Sequence, residues 1–135
     1  MTRTLPIILL SLAAAFPVFA GDDNKSAICG EAEERYVDLF GGPSSEAEGV
    51  VVVTMYKYNF CPAEITVPAG TTVRWVNVDK RTSHSVLVKG SGIPESDRAF
   101  PEEVIEFTFL EPGPQDYLCG PHWETQNMIG MVTVE

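Results

Sequence analysis

Histidine and positive charge are both scarce in this chain. Its 135 residues hold two His, and nine Lys and Arg stand against nineteen Asp and Glu, for a net charge of −10. So acidic a protein is a poor nucleic-acid binder; its charge either steers positively charged partners or merely keeps an exported protein soluble. Two histidines leave no ligands for a second metal centre beside a first, so chemistry needing two such centres is excluded unless a partner subunit supplies them. Cysteine is sparse too, with three residues, and none sits at the end of the apolar N-terminal run, which argues against a lipid anchor. There is no internal repeat and no low-complexity tract.

The one long apolar run lies at the N-terminus. Arg3 gives it a positive start, Leu5 to Val18 is rich in Leu, Ile and Ala, and Val18-Phe19-Ala20 offers a cleavage site before Gly21. The run is short for a membrane span, which needs roughly 20 apolar residues. Residues 1–20 therefore read as a cleaved signal peptide, with export to the periplasm and no membrane anchor afterwards.

Gly21 to Ala27 is polar and reads as loose. Ala32, Tyr36, Leu39 and Phe40 recur at helical spacing between Glu31 and Phe40, and Gly41-Gly42-Pro43 ends that element. Residues 21–49 thus form an N-terminal extension with a short helix. After Gly49 the pattern turns to β. Val50–Tyr58, Glu64–Val67, Thr71–Val78, His84–Val88, Glu103–Phe109, Asp116–Leu118 and Ile129–Val134 read as short strands between Gly/Pro turns. Such a series predicts an all-β antiparallel sandwich or barrel over residues 50–135.

The chemistry concentrates near the C-terminus. Cys119-Gly120-Pro121-His122 places a thiol and an imidazole across a stiff turn, and five residues separate His122 from Met128. The other histidine, His84, lies in Ser83-His84-Ser85-Val86. Two imidazoles, one thiolate and a weak thioether are the donor set that selects copper for one-electron transfer. For the thioether, period two puts Met128 in phase with Gly130, Val132 and Val134, the apolar face, whereas Met131 shares its phase with Thr133 and Glu135. Met128 is chosen; Met131 is the competitor, and Met55 reads as packing. With Cys119 on the metal, Cys29 and Cys61 are left either to pair, as an exported protein favours, or to stay free.

Three stretches resemble the cupredoxins, most closely the plastocyanin, pseudoazurin and halocyanin-like branch: Phe60 to Gly70, Trp75-Val76-Asn77 with Ser83-His84-Ser85-Val86, and Tyr117 to Val134. The resemblance implies an eight-stranded Greek-key sandwich with one type 1 copper ion at one end. It implies His84, Cys119 and His122 as strong ligands and Met128 as the weak axial one, with Ser85 where a polar residue often ties the ligand loops together. The sequence departs from the pattern in two places. Plastocyanin-like loops commonly have four residues where this chain has five before Met128, and the stretch ahead of the first strand is outside the common core.

The expected function is a periplasmic blue-copper electron carrier, not an enzyme. Its partners would be redox proteins such as a c-type cytochrome or a periplasmic oxidoreductase with a basic docking face, and the carrier itself is expected to be a monomer. His122 is the expected solvent edge, with Trp123, Pro121 and Ile93-Pro94 as a docking patch or, for Trp123, ordinary core. The alternatives are a copper chaperone or storage protein, and an electron-donating subunit of a larger copper enzyme.

Overall fold

Alternation of β-branched and aromatic residues builds two sheets here, and in one of them β1 and the end of β4 are buried on both faces. The structure is a computed structural model that describes residues 20–135, with side chains from Asp23; the expected signal peptide falls on residues 1–20 and, but for Ala20, lies outside the described residues. In chain order the elements are α1 (Ala20–Phe40), β1 (Val51–Tyr56), β2 (Asn59–Cys61), β3 (Glu64–Val67), β4 (Thr71–Asn77), β5 (Leu87–Val88), β6 (Val104–Phe109), β7 (Gly113–Leu118), α2 (Trp123–Gln126) and β8 (Ile129–Val134). One sheet has the order β2-β1-β4-β6 and the other β3-β8-β7-β5, a Greek-key sandwich. Where the sequence suggests antiparallel pairing throughout, β1–β4 and β3–β8 are parallel.

Period two sorts β1 and β4 between two cores. Val53, Met55, Val73 and Trp75 face the second sheet and pack with Phe60, Phe109, Tyr117, Val132 and Val134. Trp75 and Tyr117 meet edge to face at 5.1 Å, and Tyr117 meets Phe60 the same way at 4.7 Å. A Cβ on Gly130 would overlap the Tyr117 ring, so that strand position admits only glycine. The opposite residues, Val52, Tyr56 and Val76, bury against Ala32 and Tyr36 of α1. Helix, sheet and sheet therefore form three layers.

The helix is longer than its sequence signal. It begins at Ala20 and runs through the stretch that reads as loose. Asp23 to Ala27 are exposed, so those turns pack on nothing and carry no apolar period; the packed turns beyond them supply the nucleus, and the helix propagates outward. Cys29 and Cys61 form a disulfide that pins α1 to β2 across 32 residues. Such a closure stabilises a fold by about 2–4 kcal/mol, chiefly by restricting the unfolded chain.

Two strand predictions change in detail. Val50–Tyr58 is not one strand: Lys57 and Tyr58 both take positive φ, 47° and 62°, and turn the chain from β1 into β2. His84–Val88 pairs with β7 only at Leu87 and Val88, while His84 bridges to Ala99.

Candidate metal centre

Four segments meet at one end of the sandwich. The loop after β4 carries His84, the loop after β7 carries Cys119 and His122, the turn from β1 to β2 carries Tyr58, and Met128 leads into β8. The Cys119 Sγ lies 3.8 Å from His84 Nδ1 and 3.5 Å from His122 Nδ1. One ligand atom from each of these three residues falls within 4.8 Å of the others. Two donors of a single ion, each bonded at about 2.0–2.3 Å, are left this far apart when the angle between them is open. His84 and Cys119 are both 0% exposed, and Cys119 is a free thiol. The donor set and its spacing fit copper.

Short-range hydrogen bonds shape the Cys119 loop. The Cys119 carbonyl accepts from the His122 and Trp123 N–H groups at 3.2 and 2.9 Å, and the His122 carbonyl accepts from Gln126 and Met128 at 3.0 and 3.3 Å. The Cys119 N–H donates back to the Met128 carbonyl at 3.0 Å. Between His122 and Met128 the loop makes the single turn α2, which Asn127 closes in the left-handed region at φ 52°. Met128 is 1% exposed and packs in the same core as Cys119, whereas Met131 is only partly buried and its N–H bonds to the Ala63 carbonyl.

The electrostatics prepare both imidazoles. Asp79 Oδ2 accepts from His84 Nε2 at 2.5 Å, which fixes the proton on Nε2 and leaves the Nδ1 lone pair facing Sγ. Burial pushes the His84 pKa down; hydrogen bonds that the protonated ring donates to Asp79 and Cys119, with the charges of both, outweigh it and raise the value in the metal-free site. Burial holds the His122 pKa below the usual histidine value, with the charges of His84 and Arg98 adding to the effect. His122 is only partly buried, and Tyr58 packs edge-on against its ring at 4.8 Å.

Comparison with known proteins agrees with this chemistry. The profile of the copper-binding proteins of the plastocyanin/azurin family matches residues 47–135. The chain belongs to that family. This cupredoxin is similar to halocyanin of Natronomonas pharaonis, with 34% identity over 123 residues that cover 78% of this chain and 72% of the relative. It is also similar to plastocyanin of Synechococcus sp. (strain JA-2-3B'a(2-13)), with 28% identity covering 99% of this chain and 94% of that one. Among solved structures it resembles a reduced amicyanin mutant at a TM-score of 0.57 and 31% identity, covering 68% of this chain and 89% of the other.

Three residues of the cupredoxin site escape sequence reasoning. Asp79 is one of nineteen acids, and only its burial beside His84 marks it. Tyr58 sits in a turn without the Asn-Gly signature that would announce one. Glu95, next to Ser85, lies in a long connector with no periodicity. Trp123 is 43% exposed and Ile93 55%, so Trp123 is surface and not core.

Proposed function

We propose that this cupredoxin is a one-electron carrier in which His84 Nδ1, Cys119 Sγ and His122 Nδ1 would hold a single copper ion, with the Met128 thioether as a further, weak donor. Bound copper supplies a Cu(II)/Cu(I) couple. The observation that carries this reading is the convergence of a buried thiol and two imidazoles within 4.8 Å, with His84 held by Asp79 and Cys119 reached by the Ser85 N–H. Ligands fixed in this way move little when charge changes, so an electron is exchanged at small structural cost. The Asp79–His84 pair keeps one imidazole from turning. Tyr58 restrains the other from the solvent side.

His122 is the edge through which the electron passes, with exposed Trp123, its neighbour in the chain, as an apolar docking contact. The partner is a redox protein such as a c-type cytochrome, with a basic face complementary to a chain of net charge −10. We place the carrier in the periplasm as a monomer. The signal-like residues 1–20 support export, and a disulfide-bonded Cys29–Cys61 pair suits an oxidising compartment.

Stopped-flow mixing of the reduced copper protein with an oxidised, basic c-type cytochrome tests this reading. The expected result is second-order electron exchange with copper retained, and a rate that falls as salt rises through the range where a Debye length shrinks from about 30 to 10 Å. Exchange only after copper release would mean a chaperone or storage protein. A rate indifferent to salt would remove the basic partner face.

A further inference from the structure

We propose that Glu95 is a positioning residue of the copper site, its carboxylate orienting the Ser85 hydroxyl that joins the two ligand loops. The inference rests on the copper-carrier reading above and adds a third segment to the site. Residues 95–99 run along the His84 segment. Val86 N–H donates to Ser96 Oγ at 2.9 Å, Ser96 N–H donates to the Val86 carbonyl at 3.0 Å, and His84 and Ala99 exchange backbone bonds at 3.0 and 2.7 Å. Between these anchor points the Ser85 hydroxyl donates to Glu95 Oε1.

That bond decides what the hydroxyl offers on its other side. Ser85 is fully buried, and with its only hydroxyl proton given to Glu95 its oxygen can only accept. It accepts the Gly120 N–H at 3.0 Å. The Ser85 N–H meanwhile reaches Cys119 Sγ at 3.5 Å. Ser85 thus donates to the ligand sulfur and accepts from the residue that follows it. Without an acceptor at Glu95 the hydroxyl is free to rotate its proton toward Gly120 or the sulfur, and the link between the loops loses its direction.

Gly120 records the same arrangement from the other side. Its φ is not positive, so the backbone there makes no demand for glycine. Space does: a Cβ on Gly120 would overlap the Glu95 carboxylate. Since that carboxylate is the end of a flexible side chain, Gly120→Ala would push it off Ser85 and leave the backbone in place. Glu95→Ala and Gly120→Ala therefore break the same Ser85–Glu95 bond by two routes, although only the first also removes a charge.

The test uses the full copper-loaded chain, first checked for its thiolate-to-copper absorption band. Glu95→Gln keeps an acceptor for Ser85 but removes a negative charge. Its spectrum should be unchanged, while its Cu(II)/Cu(I) ratio in a fixed redox buffer should fall by roughly three- to thirtyfold, the reach of one partly screened unit charge. Glu95→Ala and Gly120→Ala should each lower that ratio and also speed hydrogen exchange at the Gly120 amide by about tenfold or more in the Cu(I) form. The double variant should speed that exchange no further than either single one. Wild-type exchange in Glu95→Ala, or additive exchange effects in the double variant, would overturn the proposal. A wild-type protein with no thiolate band would instead overturn the carrier reading. Gly120 exchange in the metal-free chain would then still decide whether Glu95 orders the loop.

Discussion

Replacing Cys119 with serine is expected to abolish the intense visible absorption of the copper-loaded protein entirely. The absorption comes from charge transfer between a thiolate and copper, and Cys119 is the free thiol facing both imidazoles. A serine hydroxyl keeps its proton near neutral pH and offers a hard oxygen where the site has a soft sulfur. The change is nearly isosteric, so the fold should survive it. Cys119 packs as a small buried residue among Met128, Val86 and Tyr117, and the loop is held by its backbone bonds. Circular dichroism of the metal-free variant checks that point and the visible spectrum of the copper-loaded variant checks the other. An equally intense band in Cys119→Ser would mean that the absorption arises elsewhere.

Asp79→Ala is expected to weaken copper binding by about 10–100-fold, the usual cost of removing the carboxylate behind a metal-binding imidazole. The expectation follows from where Asp79 sits. Its Oδ2 is 2.5 Å from His84 Nε2, with His84 wholly buried and Asp79 nearly so. Removing the carboxylate strands a buried N–H and lets the ring turn its other nitrogen toward the metal. Asp79 also accepts the Lys57 N–H through Oδ1, at 3.2 Å, and its own N–H donates to Asn77 Oδ1 at 2.9 Å. Asn77 in turn donates to the Thr82 and Ala99 carbonyls at 2.8 and 2.9 Å. One acid therefore sets both the tautomer of His84 and the shape of its loop. Asp79→Asn, which still offers an acceptor oxygen, should fall between the two. Competition with a chelator of known affinity measures the loss. Wild-type affinity in Asp79→Ala would show that the loop alone orients His84.

The ligands were legible in the sequence because their chemistry is scarce in it. With two histidines and three cysteines in the chain, a Cys-x-x-His turn before a methionine leaves few alternatives. The phase of β8 separates Met128 from Met131 because the strand is buried on one face only, with Val132 and Val134 inside. The strands themselves were visible wherever one or both faces alternate, as in β1 and β4. What failed to show depends on tertiary contacts. The first turns of α1 face solvent and leave no periodic trace. The segment from His84 to Val86 looks like a strand but pairs with Ser96 and Ala99, a partner that no local pattern announces. Parallel pairing of β1 with β4 is a property of the topology and not of either strand. The groups placed beside the candidate ligands, Asp79, Tyr58 and Glu95, are ordinary residues that only the fold brings there.

A crystal structure of the copper-loaded protein, with copper located by its anomalous scattering, tests the central claim most directly. The account predicts a single ion bonded to His84 Nδ1, Cys119 Sγ and His122 Nδ1, with the Met128 sulfur at a longer distance and Asp79 still on His84 Nε2. An ion bound through other residues, or one that leaves the Cys119 sulfur unbonded, would contradict it.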